Sequence, residues 1–496
     1  MTGLLPALPI VILLATGAAT LLVRDSRAQR AMAAGGVWAF ALAAAALLVS
    51  VWRHGTLVLE VGSWPAPFGI TLAVDPLSAA MVAVTAVVAV PVMLYAETWL
   101  PTRLARGGFR PLAFLMLAGV SLAFVTGDLF NLYVAFEVLL VSSFGLMALG
   151  GKPEQVRGTT SYVFINLVAS AFFLGGVAAL YGLTGTLNLA DMSVRLAGHG
   201  SPSLVLGAAM LLLVAFGIKA AVFPLFFWLP ASYHTPPVPV AALFAGLLTK
   251  VGVYALIRVF SLLLAADLAL IQPLLLGTAA LTMIAGVLGA AAQSDIRRIL
   301  SWHIISQIGY MVMGLALATP LALVGAVFYV VHHIVVKTNL FLVGGLISRS
   351  GGDFELDRLG GLYRSRPGLA LLFLVPALSL AGLPPLSGFW AKLILLRAGL
   401  EAGQYWIVAV AAVVGLLTLY SMTKIWAGAF WSPAPDSQSG VHGPLRLGLW
   451  LPVVALAGVT LFIGLWAEPL IELAERAAAS LIDPAAYVTD VLGAAR

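Results

Sequence analysis

Residues 130–140 read FNLYVAFEVLL and place one carboxylate, that of Glu137, in an otherwise apolar run. A helix over 128–149 would be long enough to cross the hydrocarbon core of a bilayer, which takes about 20 residues. An unpaired carboxylate at that depth would take up a proton, so Glu137 needs a cationic partner or a role in proton transfer. The run therefore predicts a membrane span that also carries a functional group.

The composition of the whole chain also indicates a membrane protein. Hydrophobic residues make up 61% of the 496 positions and charged residues only 9%, a balance that a water-soluble globular protein of this length does not show. The sequence has no cysteine, which excludes disulfides, thiolate metal sites and iron–sulfur clusters, and we expect no cofactor. The net charge of +6 is typical of arginines that face a membrane surface and does not indicate nucleic acid as a partner. We therefore predict an all-α polytopic protein of the lipid bilayer.

Apolar segments follow one another along the chain. The first begins almost at Met1, and because it lacks a basic leader and a small-residue cleavage motif, we predict a retained helix and not a signal peptide. We expect the amphipathic tail after Ala467 to lie on the membrane surface. A window of about 20 residues predicts about fourteen transmembrane helices, at 3–23, 30–51, 72–95, 111–127, 128–149, 160–183, 205–229, 236–260, 269–292, 299–318, 321–347, 367–398, 404–430 and 445–468.

The basic residues of the predicted loops orient the chain. Loops after odd-numbered helices carry fifteen basic residues, and loops after even-numbered helices carry four. Because basic loops are retained on the cytoplasmic side, both termini are expected outside, across the inner membrane of a bacterial cell. The fifteen are Arg24, Arg27, Arg30, Arg103, Arg106, Arg110, Lys152, Arg157, Arg297, Arg298, Arg349, Arg358, Arg364, Arg366 and Arg446, and the four are Arg53, Arg195, Arg258 and Arg397.

The lysines show the opposite distribution. Lys152 alone lies in a predicted loop, and the other five lie within apolar segments. A buried ammonium, unlike a guanidinium, can avoid the cost of burial by releasing its proton, so buried lysines suit a proton path. The alternative is a lysine near a helix end whose charge reaches the surface, and Lys424 fits this alternative best. The five are Lys219, Lys250, Lys337, Lys392 and Lys424.

The seventh predicted helix is expected to break inside the membrane. Lys219 is followed five residues later by Pro224, and proline removes a backbone donor and interrupts a helix. A break at that depth exposes backbone polar groups that water and ions can use. Lys219 is the natural partner for the carboxylate of Glu137.

The twelfth predicted helix repeats this device. The run LPPLSGF at 383–389 places Pro384 and Pro385 shortly before Lys392. Because the two broken helices are five helices apart, helices four to eight and nine to thirteen are predicted to be two inverted repeats of five. This divides the chain into N-terminal helices at 1–110, repeats at 111–260 and 261–430, and a last helix with its tail at 431–496.

Histidines supply further candidate groups for a proton path. His333 and Lys337 are four residues apart and share one helical face, and His332 precedes them; histidine titrates near neutral pH. Adjacent histidines could instead bind a metal ion, but the sequence offers no second ligand cluster, so we predict no metal site. His303 and His234, the latter in a proline-rich turn, are auxiliary candidates where protons could reach the path, and each could equally be a hydrogen-bonded residue of the membrane interface.

These motifs resemble the antiporter-like subunits that respiratory complex I shares with the multisubunit Mrp sodium/proton antiporters. The resemblance covers about three quarters of the chain, from Asp75 to the end of the thirteenth helix. The runs at 130–140 and 337–341 (KTNLF) are most similar to the D-type subunits of Mrp complexes. The resemblance rests on Glu137, on Lys219 before a broken helix, on Leu247-Leu248-Thr249-Lys250, on His333-x-x-x-Lys337 and on LPPLSGFWAK at 383–392.

The resemblance implies a hydrophilic axis across the membrane. In it, Glu137 and Lys219 would form a controlling ion pair, Lys250 would pass protons between half-channels, and Lys392 would end the line. The implied role is that of a proton-translocating subunit of a cation/proton antiporter, not an enzyme, which works with other Mrp subunits and with protons and Na⁺.

Two other interpretations stay open at this stage. The same axis could belong to a proton-pumping subunit of complex I or of a membrane hydrogenase, and two positions bear on this: Lys392 stands where some complex I branches have Glu, and Gln307 where some have His. A third interpretation is a structural subunit with relic charges, which the number of buried lysines disfavours. No cluster of carboxylates and carbonyls suited to Na⁺ is evident in the sequence, so it indicates no path for sodium.

Overall fold

The computed structural model describes residues 2–197, 202–264, 268–434 and 446–493; residue 445, where the last predicted helix starts, lies outside these ranges. Short 3-10 segments are Thr2–Leu4, Val61–Ser63 and Leu356–Arg358, and short π segments are Ala105–Phe109, Phe244–Leu248 and Ala427–Trp431. The helices are α1 Leu8–Leu22, α2 Ser26–His54, α3 Pro76–Trp99, α4 Thr102–Leu104, α5 Arg110–Val125, α6 Leu129–Met147, α7 Pro153–Thr184, α8 Leu189–Ala197, α9 Pro202–Ala220, α10 Trp228–Ser232, α11 Val238–Leu243, α12 Thr249–Leu262, α13 Leu268–Ala291, α14 Ile296–Leu317, α15 Pro320–Gly351, α16 Leu362–Ser365, α17 Pro367–Ala381, α18 Ser387–Glu401, α19 Tyr405–Trp426, α20 Leu447–Leu465, α21 Glu468–Ile482 and α22 Pro484–Gly493.

The prediction of an all-α polytopic membrane protein is confirmed. In the described part of the chain, twelve helical segments are long and apolar enough to cross a membrane, and α1 and α17 are shorter apolar helices. Several spans begin at an aspartate whose side chain accepts a backbone N–H of the first turn, which satisfies donors that the helix itself leaves free. Asp75, Asp128 and Asp295 do so at α3, α6 and α14. The count of fourteen spans, the inverted repeats and the four-part division stay predictions.

A β-hairpin between α2 and α3 was not predicted from the sequence. Strand β1, Leu57–Glu60, pairs in antiparallel register with strand β2, Thr71–Val74. The third helix, predicted from residue 72, therefore begins only at Pro76. A four-residue apolar strand next to a longer apolar run cannot be distinguished from the first turn of a helix by its pattern alone.

Both helices with prolines near their lysines are interrupted as predicted. Helix α9 ends at Ala220 and the chain is not α-helical again until α10, while α17 ends at Ala381 and α18 starts at Ser387. Side chains satisfy backbone donors exposed by these breaks, as they must in a buried setting. The Phe223 N–H donates to Thr282 Oγ1 over 2.9 Å, and the Gly388 N–H to Ser379 Oγ over 3.1 Å.

The C-terminal helices pack against the helical bundle, and their expected place on the membrane surface stays a prediction. Helix α21 packs against α3 and α15 and buries Ala474, Ala477 and Leu481, so its apolar side covers protein. The hydroxyl of Ser480 donates to Asp75 Oδ2 over 3.2 Å. We call the end of the bundle where α21 and the hairpin lie the tail end, and the opposite end, which carries most of the basic loops, the arginine-rich end.

A buried ion pair joins α3 to α12 near the tail end. Arg258 Nη2 lies 2.6 Å from Asp75 Oδ1, and the two side chains are 4% and 0% exposed. The guanidinium also lies over the rings of Tyr254 and Tyr487, so α12 and the tail helix α22 share this contact. Arg258 was predicted to be a loop residue, and that prediction is wrong, because Arg258 lies inside a helix and carries a structural charge.

Removing one member of this pair should destabilise the protein. Arg258→Met strands a buried carboxylate, at a cost of about 3–5 kcal/mol, so we expect a lower unfolding temperature for the complex in detergent. The double variant Asp75→Leu with Arg258→Met should recover part of that loss, because an apolar pair carries no desolvation penalty. Losses that simply add in the double variant would contradict this assignment.

The pH dependence of this contribution follows from the pKa of Asp75. Burial alone would raise that pKa, but the charge of Arg258 and hydrogen bonds from Arg258 and Ser78 outweigh it and hold the pKa below its ordinary value of 3.8. A carboxyl with a lowered pKa stabilises the fold above its unfolded pKa and loses that effect as the pH falls through its folded pKa. Arg258→Met leaves Asp75 buried without its cation, which raises the pKa of this carboxyl in the variant. The difference in unfolding temperature between wild type and Arg258→Met should therefore be largest at and above neutral pH. It should shrink as the pH falls, because the carboxyl of the variant then takes up a proton and no longer carries a buried charge.

Candidate functional site

The carboxylate of Glu137 and the ammonium of Lys219 are joined through a third residue. Ser170 Oγ donates a short hydrogen bond to Glu137 Oε1, and Lys219 Nζ donates to Ser170 Oγ over 3.3 Å. Glu137 and Lys219 are not among the direct ion pairs of the described residues. The predicted pair is therefore a bridged pair, in which a hydroxyl can both donate and accept.

Three neighbouring helices bring this bridge together. Glu137 is on α6, Ser170 on α7 and Lys219 in the last turn of α9, and α7 packs against both of the others. Lys219 is 4% exposed and Ser170 6% exposed. The Lys219 ammonium also lies 4.9 Å from the ring centroid of Phe136, a distance at which a ring face attracts a cation. Ser170 could not be singled out from the sequence, because a serine in an apolar helix usually bonds to its own backbone.

Lys250 is held at a local irregularity of its helix. The π segment Phe244–Leu248 directly precedes α12, and Lys250 Nζ donates to the carbonyl oxygen of Ala245 and, over 3.2 Å, to Thr249 Oγ1. Such π segments are rare and recur at functional sites. Lys250 is fully buried, and all of its described partners are neutral oxygens.

Two glycines let this segment approach its neighbours closely. A Cβ at Gly252 would stand 2.6 Å from the backbone N of Ala220, and a Cβ at Gly246 would collide with Thr338 Oγ1. Because the neighbour of Gly252 is backbone and cannot rotate away, only a residue without a side chain fits there. The backbone next to Lys250 therefore touches the end of α9, which carries Lys219, and the middle of α15, which carries Lys337.

Lys337 and Lys392 are also held by carbonyl groups. Lys337 Nζ donates to the oxygen of Leu300 on α14 over 3.0 Å, and Lys392 Nζ donates over 2.7 Å to the oxygen of Ala381. Ala381 is the last residue of α17, so the break in this helix supplies a free carbonyl at the negative end of the helix dipole. That is what a discontinuous helix contributes to a cation site.

The histidines of α15 point to different neighbours. His332 Nδ1 is 2.8 Å from Ser387 Oγ, which is 2.9 Å from Ser379 Oγ, so this ring is connected to the break between α17 and α18. Neither ring nitrogen of His333, nor either one of His303, has a hydrogen-bond partner within the described residues. Both rings are fully buried, so each offers an imidazole with unused hydrogen-bonding capacity inside the bundle.

The charged groups near His333 come from several helices. Lys250, Lys337, His332 and His303 are each close enough for their charges to act on the His333 ring. His303 is in turn within reach of Lys337 and Lys392. The structure thus gathers the predicted residues of α12, α14, α15 and α18 around one region, although the chain separates them by up to 142 positions, from 250 to 392.

Aromatic hydroxyls complete this region, and they were not predicted. Tyr329 Oη donates to Gln307 Oε1 over 2.5 Å, and Tyr310 Oη donates to the carbonyl of Ala411 over 2.5 Å. The two rings stack with centroids 5.3 Å apart, and Lys392 Nζ lies 5.2 Å from the Tyr310 centroid. A buried tyrosine with a satisfied hydroxyl is common in helix cores, so sequence alone could not single these two out.

His234 lies apart from this region, at the arginine-rich end. It faces a polar cavity of about 620 Å³ that is also lined by Arg157, Arg298, Glu154 and Glu355. Burial and the charges of Arg298 and Arg297 lower the pKa of His234 below its ordinary value, so this ring is neutral at pH 7. His234 therefore offers a neutral acceptor to this cavity, and its auxiliary role stays a prediction.

Lys424 caps the end of a neighbouring helix. Its Nζ donates to the carbonyl oxygens of Ala291 and Gln293, over 3.0 and 2.7 Å. These carbonyls close the C-terminal end of α13, where a cation satisfies free acceptors and interacts favourably with the helix dipole. Lys424 is half-buried and does not contact the other lysines.

Fold and site together define a polytopic membrane protein with ionisable side chains gathered inside its helical bundle. A family model described as "NADH:quinone oxidoreductase/Mrp antiporter, TM" matches residues 126–418, which contain every predicted proton-path residue. The chain belongs to this family.

Individual relatives show which members of this family the chain resembles. The chain is 44% identical over 487 residues to the D subunit of the Na⁺/H⁺ antiporter of Alkalihalophilus pseudofirmus, and the match covers 98% of each chain. It superposes on a chain of the Mrp complex from Dietzia with a TM-score of 0.91 and 34% identity, over 99% of both chains. A chain of respiratory complex I from Thermus thermophilus gives a TM-score of 0.81 and 29% identity, over 97% of this chain and 100% of that one. The predicted resemblance to the D-type subunits of Mrp complexes is confirmed.

The bridge makes Ser170 a specific target. Ser170→Ala removes the group that connects Glu137 to Lys219, so we expect ion exchange to fall about tenfold, equivalent to roughly 1.4 kcal/mol for one charge-assisted hydrogen bond. The measurement is cation-dependent proton exchange in vesicles that contain the whole complex.

Ser142→Ala is the matched control for this variant. The Ser142 hydroxyl is buried on α6 and donates only to the carbonyl of Val138 over 2.6 Å. We expect it to retain wild-type exchange. Equal rates for Ser170→Ala and Ser142→Ala would mean that the Ser170 bridge is incidental.

Proposed function

We propose that this chain is the proton-translocating subunit of a multisubunit Na⁺/H⁺ antiporter, and that it is a transporter subunit and not an enzyme. The observation that carries the proposal is the hydrogen-bonded line Glu137–Ser170–Lys219, in which Ser170 and Lys219 are buried and Glu137 is half-buried. Contacts at Gly252 connect this line to the segment that holds Lys250. Buried ionisable groups in membrane helices are retained for ion or proton movement, because they are costly otherwise.

The environment of the other lysines supports proton transfer. Lys250, Lys337 and Lys392 all donate to backbone carbonyls, and none forms an ion pair among the described residues. A lysine held by neutral acceptors can release its proton without leaving a carboxylate unpaired. Three such lysines in succession, with His332, His333 and His303 between them, form a series of groups that each exist in two protonation states.

Glu137 sets the state of the first lysine in this mechanism. When Lys219 is protonated, the bridge through Ser170 stabilises its charge against the carboxylate. When the proton moves on toward Lys250, that stabilisation is lost, and the carboxylate favours reloading of Lys219 from its own side of the membrane. The hydroxyl of Ser170 can reverse its donor and acceptor roles at each step without a change of position.

The proposal assigns the proton path, and no sodium path, to this chain. Glu137 is the single carboxylate that the described residues place on the axis, and a carboxylate bridged to an ammonium is a poor site for a hard cation, which prefers several oxygen ligands. Sodium would therefore cross elsewhere in an assembly of several subunits. The polar cavity beside His234 gives protons access at the arginine-rich end.

The whole-length match to an antiporter D subunit favours an antiporter over the alternative of a redox-driven proton pump. Among the superposed chains, identity is 34% to the Mrp chain and 29% to the complex I chain, with TM-scores of 0.91 and 0.81. We further propose that the partners are the other Mrp subunits, that the protein resides in a bacterial inner membrane, and that both termini face outward, with the arginine-rich end in the cytoplasm.

Glu137 provides the direct test. Glu137→Gln keeps the shape of the side chain and removes the charge that stabilises protonated Lys219, so ion exchange should fall to background while the complex still assembles. Glu137→Asp keeps the charge but is one methylene shorter, so it should retain part of the activity. The measurement is the collapse of a pH gradient on adding Na⁺ to everted vesicles, with assembly checked by co-purification of partner subunits. Wild-type exchange by Glu137→Gln would show that the carboxylate is structural.

The break before α18 allows a second test. Replacing Pro384 and Pro385 by Ala should restore helical hydrogen bonds across the gap and withdraw the Ala381 carbonyl from Lys392. We expect slower ion exchange with normal membrane insertion, measured in the same vesicles. If exchange continues unchanged, the break does not contribute to transport.

A further inference from the structure

An apolar groove of about 700 Å³ opens on the surface of the bundle away from the proton path. Its walls come from α2, α3, α15, α20 and α21, with Leu48, Ala83, Val335 and Phe462 among the lining residues. Every lining residue but one is apolar, and the exception is Arg53.

Arg53 lies at the rim of the groove with its charge uncompensated. It is exposed, in the last turn of α2 at the tail end, and forms no ion pair within the described residues. Arg476, close by, differs: it pairs with Glu472 over 2.8 Å and stacks on Trp52 at 3.7 Å. A free guanidinium next to a wholly apolar groove is complementary to an anionic group attached to a hydrocarbon chain.

The groove runs from the rim to the middle of the membrane. Its floor includes Val331 and Val335, which lie 11 and 15 residues from the start of α15. At 1.5 Å per residue this is about 16–22 Å below that end of the helix. Such a depth is comparable with half of a hydrocarbon core about 30 Å thick.

We propose that the groove binds one phospholipid, with an acyl chain along Ala83 and Val335 and the phosphate on Arg53. The apolar lining is complementary to a hydrocarbon chain, and Arg53 at the rim is complementary to a phosphate. A transmembrane helix of a partner subunit is the alternative occupant, and it brings no phosphate to Arg53.

The position of the groove relates this lipid to the proton path. Residues two positions apart on a helix point about 200° away from each other, so His333 and Lys337 lie on the side of α15 opposite to Val331 and Val335. The acyl chain would pack on the back of the helix that carries these groups.

A photoreactive phospholipid tests the proposal. Phosphatidylglycerol with a diazirine in one acyl chain is added to vesicles that contain the assembled complex, and labelled peptides are mapped by mass spectrometry. We expect labelled peptides from α3 and α20. In Arg53→Gln the labelling should fall about fivefold, which corresponds to the loss of roughly 1 kcal/mol for one exposed charge contact. In Ala83→Trp it should fall to background, because the larger side chain fills the groove. Arg397→Gln removes an exposed arginine from α18 and should not change the labelling.

Two further arms separate the lipid from other occupants. A diacylglycerol probe with the same chain has no phosphate and should label the groove about as weakly as the phospholipid labels Arg53→Gln. Because the chain has no cysteine, Ala83→Cys offers a unique point for a thiol-directed photo-crosslinker. Three results would each overturn the proposal. The first is labelling that changes in neither Arg53→Gln nor Ala83→Trp, and the second is equal labelling by the diacylglycerol probe. The third is a crosslink from position 83 to a partner subunit.

Discussion

The cost of a charge in hydrocarbon is the constraint on which this structure depends. Every ionisable side chain inside the bundle must be paired, be held by oriented dipoles or give up its proton. Asp75 and Arg258 take the first course and form a direct pair of 2.6 Å. Lys250, Lys337 and Lys392 are held by oriented dipoles, because each donates to a backbone carbonyl oxygen. A neutral partner also leaves these lysines free to give up a proton.

Two of the carboxylates that face cations, Asp75 and Glu137, illustrate two uses of the same chemistry. Asp75 meets a guanidinium, which does not deprotonate, and the pair joins α3, α12 and the tail helices. Glu137 reaches Lys219 only through Ser170, and an ammonium can change its protonation state. A fixed pair supports the fold, whereas a bridged and titratable pair can change state during transport. The phospholipid site proposed at Arg53 adds a third case, in which the counter-charge would come from the bilayer.

The helical membrane fold could be predicted from the sequence, and ionisable residues could be located within apolar segments, because both have strong one-dimensional signals. A lysine in an apolar run, or a proline five residues after it, is visible without a structure. What pattern could not supply were the partners. Ser170, Ser387 and Tyr329 are ordinary residues of apolar helices until three-dimensional packing brings them to Glu137, His332 and Gln307. The hairpin and the π segment before Lys250 were missed because four or five residues carry too little periodicity to identify them.

The central claim is that Lys219, Lys250 and Lys392 belong to one continuous hydrated path. It is tested most directly by a cryo-electron microscopy map of the native complex at a resolution that shows ordered water. We predict water molecules or polar side chains within hydrogen-bond distance of each other all the way from Lys219 through Lys250 to Lys392. Dry layers of packed leucine and valine between these lysines, in every state of the complex, would contradict it.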